Sequence, residues 1–112
     1  MSDLPAECLQ VVGCHHYWED VLRIIQSAKN RKGCTPFKYS GTALLEPEPD
    51  NPVDPNAIRV VIEGTRVGYI AKEYAPLLKT HLTPANSTVP CELLWNGNKG
   101  SNGLFGCTLY NF

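Results

Sequence analysis

Residues 57–70 read AIRVVIEGTRVGYI and contain the clearest pattern of secondary structure in the chain. Ile58, Val60 and Ile62 occupy alternate positions, as expected for a strand that buries one of its faces. A turn at Gly64 then leads into the apolar residues 67–70. The stretch therefore predicts a β-hairpin whose register is well fixed.

Four further segments have strand character. β-branched and other apolar residues are concentrated at residues 9–14, 36–46, 89–95 and 104–109. An acidic, proline-rich loop is expected at residues 47–55, and a polar, glycine-rich loop at residues 96–103. Together with the hairpin, these segments predict a mainly β fold, a small OB- or SH3-like six-stranded β-barrel.

One or two short helices are expected to pack on the barrel. Apolar residues recur at helical spacing over residues 18–29, with Glu19 and Asp20 in the first turn, where acidic side chains favour a helix start. The same spacing recurs over residues 72–82, where Pro76 is tolerated because it falls near the first turn. The basic residues Lys29, Arg31 and Lys32 suit the end of the first helix.

Length and charge limit the possible functions. With 112 residues, the chain is expected to form a single domain over residues 1–112, with its core at about residues 9–110. Ten Lys and Arg against eleven Asp and Glu leave a net charge of −1. Such a chain has no strong general attraction for phosphate backbones, so a role in nucleic-acid binding has to depend on local geometry.

The cysteines indicate a reduced, cytoplasmic protein. There are five of them, scattered without a C-x-x-C pair, and no secretory signal follows Met1. We expect small buried thiols, with no disulfide, no stoichiometric zinc and no cofactor. No apolar run of about 18 residues is present, which argues against a membrane-spanning helix, and the chain has no lipidation motif.

Three strings resemble the signature of the HIRAN domain family. They are VGCHHY at residues 12–17, EPDNPVDPNAIRV at residues 48–60 and VGYIAKE at residues 67–73. The first looks like the opening strand of the family, and the resemblance extends over roughly residues 9–82. The D-N-P-x-D-x-N-A-I-x-V string is far more specific than a lone glycine motif.

The resemblance implies a binding module rather than an enzyme. HIRAN domains occur fused to remodelling helicases and as small stand-alone proteins, and the best-understood member holds single-stranded DNA by its free 3′-hydroxyl end. A role in DNA repair or replication-related processing follows, with a helicase or a nuclease acting in trans as a partner. The chain has no Walker A sequence, nucleophile elbow or dinucleotide fingerprint.

Site residues are carried over from the family by position. Asp54 would accept a hydrogen bond from the terminal 3′-hydroxyl, and Asn51 would steady the last nucleotide. A 3′-phosphate would bring like charges together at Asp54 and be rejected. The resemblance also implies that His15, His16 and Tyr17 contact phosphates or stack on bases, and that Tyr69 and Lys72 approach the backbone phosphates. The further candidates for nucleic-acid binding are Asp50, Asn56 and Phe105.

One position departs from the family pattern. At Val53 the best-understood member carries an aromatic ring that stacks on the terminal base, and valine has no such face. Phe105 and His16 are the two candidates to supply part of the missing stacking.

Other interpretations of the same residues stay open at this point. Asp54 and Asn56 suit an Asx-type turn that leads into the following strand. His15 and His16 with Cys14 and Cys34 offer zinc-type ligands, although the paired spacing of a zinc site is missing.

Two rival functions also remain. A metal-dependent nuclease would need Asp50 or Asp54 to pair with one of the two histidines, His15 or His16, among several carboxylates that converge on a cation. On a proline-rich loop, the acidic residues more simply keep the loop solvated; they are Glu46, Glu48, Asp50 and Asp54. A barrel of this kind can also be a protein-interaction module without nucleic-acid binding.

Overall fold

Six antiparallel strands close into a barrel in the computed structural model. The structure describes residues 8–83, 87–95 and 104–110, without the side chains of Cys8, His15, Leu104 and Phe105. The order around the barrel is β1-β4-β3-β2-β5-β6, and pairing of β1 with β6 completes the circle. The strands are β1 (Cys8–Val12), β2 (Lys38–Pro47), β3 (Ile58–Ile62), β4 (Thr65–Ile70), β5 (Thr88–Trp95) and β6 (Leu104–Tyr110).

The predicted hairpin is confirmed and consists of β3 and β4. Ile58, Val60 and Ile62 of β3 are fully buried, whereas the residues between them are partly exposed. Full burial of such a side chain contributes roughly 1.5–3 kcal/mol, so the alternation fixes which face of β3 lies inside the barrel. The turn at Glu63 and Gly64 places both residues at positive φ, with Gly64 at 76°.

Helix α1 (Trp18–Ala28) is also confirmed, ending one residue before the predicted boundary. It has Glu19 and Asp20 in its first turn, and its buried face packs against β4, β2 and β5. That face consists of Val21, Ile24, Ile25 and Ala28. Of the helices in the described part of the chain, none is long and apolar enough to cross a membrane.

The first strand is shorter than expected. It ends at Val12, because Gly13 takes a left-handed conformation at φ 80°, which glycine adopts without steric cost. Residues Cys14–Tyr17 then form a 3₁₀ helix, and the amide of His16 donates to the carbonyl of Gly13 at 3.0 Å. The string at residues 12–17 is therefore a strand end followed by a 3₁₀ turn, and its prediction as strand was wrong beyond Val12.

The second helix is shorter too. Helix α2 (Ala75–Lys79) occupies only the middle of the predicted residues 72–82. Pro76 has no N–H to donate to Lys72, so the helix cannot extend toward its N-terminus and residues 72–74 form a turn. At the other end, the hydroxyl of Thr80 donates to the carbonyl of Leu77 at 2.7 Å and the chain leaves the helix.

The cysteines whose side chains are described are free thiols. Cys14, Cys91 and Cys107 are buried and Cys34 is partly exposed. Burial raises the pKa of Cys91 to about 12, so this thiol is protonated and unreactive at neutral pH. Cys14, Cys91 and Cys107 act in the core as small apolar side chains. The expectation of a buried thiol was wrong for Cys34, which only packs against the edge of the core. The glycine-rich loop expected at residues 96–103 lies outside the described residues.

Candidate nucleic-acid interface

A β-bulge brings two polar side chains together on the outer surface of the hairpin. Val61 pairs with Arg66 and Val60 with Gly68, which leaves Val67 as the extra residue of β4. Val67 and Gly68 are both buried, so Arg66 and Tyr69 both face outward instead of alternating. As a result, Nη1 of Arg66 donates to the Tyr69 hydroxyl at 3.0 Å.

Glu48 is the acceptor at the centre of this surface. The Tyr69 hydroxyl donates to Glu48 Oε1 at 3.0 Å, and Nδ2 of Asn51 donates to the same oxygen at 2.9 Å. The second oxygen, Oε2, lies 3.7 Å from Nη1 of Arg59 and 4.0 Å from Nη1 of Arg66. Because only 18% of its side chain is exposed, the carboxylate needs these partners to offset the loss of water.

Replacing Glu48 by glutamine is expected to lower the free energy of unfolding by about 2 kcal/mol. In either orientation of the glutamine side-chain amide, its NH₂ group faces another donor. The donor is Asn51 and Tyr69 in one orientation and the guanidinium groups of Arg59 and Arg66 in the other. Urea unfolding would measure the loss. The control is Asp20→Asn, which removes an ion pair between exposed side chains of α1 and should cost less than about 1 kcal/mol. Equal stability of the two variants would contradict a central role for Glu48.

The loop before β3 is held by its own side chains. Oδ1 of Asn51 accepts from the amides of Val53 at 2.9 Å and Asp54 at 3.0 Å, and Oδ1 of Asp54 accepts from the amide of Asn56 at 2.9 Å. The amide of Glu48 donates to the carbonyl of Ala57 at 2.8 Å and closes the loop. These Asx turns, with prolines between them, pre-organise the loop.

A cleft of about 510 Å³ lies between this loop and the outer surface of the hairpin. Its size is within the range of roughly 300–1,000 Å³ that ligand pockets commonly have. Two carboxylates and two guanidinium groups line it, so their formal charges cancel. The lining residues are Pro47, Glu48, Pro49, Asp50, Asn51, Pro52, Arg59, Arg66 and Tyr69.

Two aromatic rings flank the Arg66 guanidinium at one side of the cleft. Its central carbon lies 5.1 Å from the ring centroid of Tyr17 and 5.9 Å from that of Tyr69. Burial raises the pKa of Tyr69, and the hydrogen bond to Glu48 raises it further. The Tyr69 hydroxyl is therefore protonated at neutral pH and acts as a donor.

A second pocket of about 410 Å³ adjoins the cleft and shares Pro47 and Arg59 with it. Its walls include apolar side chains of β2 and the residues that follow α2. The remaining lining residues are Leu44, Leu45, Glu46, Leu82, Thr83 and Ser87.

Only some of the predicted site residues line the cleft. Asp50, Asn51 and Tyr69 line it, and Tyr17 borders it through Arg66. Asp54 and Asn56 belong to the same loop but not to the cleft wall. His16 is exposed on the 3₁₀ helix, and Lys72 is exposed in the turn after β4. The side chains of His15 and Phe105 lie outside the described residues.

Glu48, Arg59 and Arg66 line the cleft but were not predicted as site residues from the sequence. Glu48 opens the signature string, and Arg59 occupies an outward position of β3, so both had a readable signal. Arg66 had no direct signal, because regular alternation in β4 would put it on the opposite face from Tyr69, and Gly68, which can mark a bulge, does not locate the extra residue. Within residues 8–83, 87–95 and 104–110, no group of three or more His, Cys, Asp or Glu side chains could hold a metal ion.

A closed barrel with a pre-organised polar loop beside one cleft defines a small ligand-binding module. The HIRAN domain family model matches residues 9–103, and the chain belongs to this family. HIRAN domains are nucleic-acid-binding modules. No curated protein and no solved structure matched the chain.

Proposed function

We propose that this chain binds single-stranded DNA at a free 3′-hydroxyl end, in DNA repair or replication-related processing. The observation that carries the proposal is the hydrogen bonding of the Asp54 carboxylate. Its Oδ1 accepts the amide of Asn56 at 2.9 Å, which fixes the carboxylate. Among the described residues no hydrogen bond uses Oδ2, so this oxygen is available to a donor. A terminal hydroxyl supplies such a donor, whereas a phosphate supplies only acceptors and negative charge.

Asn51 supports the same role from a different position. All its side-chain polar atoms are used within the loop, where it accepts from Val53 and Asp54 and donates to Glu48. We propose that Asn51 acts by holding the loop that carries Asp54, and that backbone groups of this loop contact the nucleotide. Val53 is 92% exposed, so the tip of the loop is open to a base.

The contacts of two acidic residues, one beside the cleft and one in it, favour binding over metal-dependent cleavage. A nuclease of that class needs several carboxylates that converge on a cation. Here Glu46 accepts from Nε of Arg59 at 2.7 Å, and Glu48 is surrounded by Tyr69, Asn51 and the two arginines. In the proposed role, a helicase or a nuclease acting in trans would process the end that this chain holds.

Three oligonucleotides that differ only at the 3′ terminus test the proposal. They end in a hydroxyl, a hydrogen or a phosphate, carry a fluorophore at the 5′ end, and are titrated with protein in fluorescence anisotropy. We expect the hydroxyl end to bind about tenfold more tightly than the deoxy end, as one charge-assisted hydrogen bond allows, and the phosphate end to bind weakest. Equal affinities would contradict recognition of the 3′ end. No binding at all would favour the protein-interaction barrel.

A further inference from the structure

Two arginines line the cleft, and they differ in how fully their charge is compensated. The side chain of Arg59 is 41% exposed and that of Arg66 is 45% exposed, so both can reach a ligand. Arg59 is bound to carboxylates on two sides, with Nε 2.7 Å from Glu46 and Nη1 3.7 Å from Glu48. The closest partner of Arg66 is instead the neutral hydroxyl of Tyr69, and Glu48 lies 4.0 Å away. Arg66 is therefore the less compensated cation.

Arg66 is also held in place before any ligand arrives. Its guanidinium contacts the rings of both Tyr17 and Tyr69, at distances of 5.1 Å and 5.9 Å that suit cation–π contact. The flat guanidinium stacks on such rings, whereas a lysine ammonium has no plane to stack. Because the side chain is already ordered, less rotamer entropy is lost when it binds a ligand.

The remaining donors of Arg66 fit a phosphodiester. A guanidinium has five N–H groups, and in the described contacts only Nη1 donates, to Tyr69. A phosphate offers two oxygens in the geometry of the guanidinium fork. Glu48 and Asp50 line the same cleft, so a polyanion can approach only where a cation outweighs them.

We propose that Arg66, held by its contacts with Tyr17 and Tyr69, is the phosphate-binding site of the cleft and binds the last internucleotide phosphate of the strand. This inference rests on the proposed function, because it places the terminal nucleotide beside Asp54. It makes Arg66 the main electrostatic contact and gives Tyr17 a positioning role. The site takes a phosphodiester anion and reads no base sequence.

The experiment measures the affinity for a strand with a 3′-hydroxyl end over a series of salt concentrations. Arg66→Gln is expected to weaken binding about tenfold and to reduce the slope of log K against log salt by about 0.7, the value of one phosphate contact on single strands. Arg66→Lys should keep most of the slope but lose affinity, because the fork and the stacking are gone. Arg23→Gln removes the same charge from α1, where Arg23 is paired with Asp20, and should change neither quantity.

A modified strand makes the test independent of protein folding. A methylphosphonate at the last internucleotide linkage removes that phosphate's charge while the wild-type protein is used. It should weaken wild-type binding about as much as Arg66→Gln does, and should add little in the Arg66→Gln background. Unchanged wild-type affinity for this strand, with the preference for a 3′-hydroxyl intact, would overturn the assignment of Arg66 alone. Loss of the 3′-end preference in the wild type would overturn the proposed function and this inference together.

Discussion

Replacement of Asp54 by asparagine is expected to weaken binding to a strand with a 3′-hydroxyl end by about tenfold or more, since a hydrogen bond to a charged acceptor is worth roughly 1.5–3 kcal/mol. Asparagine keeps an Oδ1 that can accept the amide of Asn56, so the Asx turn is preserved. The substitution removes only the charge and one acceptor. Fluorescence anisotropy with the three 3′ termini measures the effect.

Asp54→Asn should also reduce the ratio of the affinities for a 3′-hydroxyl end and a 3′-phosphate end. Without the carboxylate, repulsion toward a 3′-phosphate disappears, so affinity for that end is expected to rise while affinity for the hydroxyl end falls. Asp20→Asn on α1 is the matched control and should alter neither affinity. Thermal melting of both variants separates loss of binding from loss of fold. If the stable Asp54→Asn protein binds all three ends as the wild type does, Asp54 is a turn residue only.

The barrel could be predicted because its strands obey local rules. In β3 the buried positions alternate strictly, and a turn of two residues fixes the register with β4 up to the bulge. Helix α1 shows its buried face in the spacing of its apolar residues, and its start in two acidic residues. For such elements the packing that the barrel imposes agrees with the local preference of the sequence.

Parts of the chain where tertiary contacts override local preference could not be predicted. The 3₁₀ helix at Cys14–Tyr17 follows residues with strand character, and only the left-handed conformation of Gly13 ends the strand. The sequence marks the bulge at Val67 only weakly, because Gly68 inside a strand indicates either a bulge or a close backbone approach and does not locate the extra residue. This one extra residue puts Arg66 beside Tyr69 and thus shapes the cleft.

The candidate site also has one part that could be predicted from the sequence and one part that could not. The turn-forming role of Asp54 follows from its residue type, and its bond to the amide of Asn56 confirms that interpretation. The pairing of Glu48 with Tyr69 spans 21 residues and depends on how the loop folds back on the hairpin. Long-range contacts of this kind need the register and the bulge together, so the sequence pointed to the loop but not to the acceptor at its centre.

Replacing Gly68 by alanine is expected to lower the free energy of unfolding by about 3 kcal/mol, the upper end of the usual cost of overpacking a core. A Cβ at this position would lie 2.5 Å from Cγ1 of Val11 and 2.6 Å from the carbonyl oxygen of Val12. The second atom belongs to the backbone of β1, which pairs with β4 through Val12 and Tyr69 and cannot move without opening the barrel. The melting temperature should fall by on the order of 10 °C.

Gly64→Ala is the control for Gly68→Ala. A Cβ at Gly64 would meet nothing within 4 Å, and only the φ of +76° opposes a side chain there, at a cost of about 1 kcal/mol. Since Gly68 lies between Arg66 and Tyr69, its substitution should also weaken binding of the 3′-hydroxyl strand, whereas Gly64→Ala should not. Equal melting temperatures for the two variants would mean that β1 does not approach β4 as closely as the barrel requires.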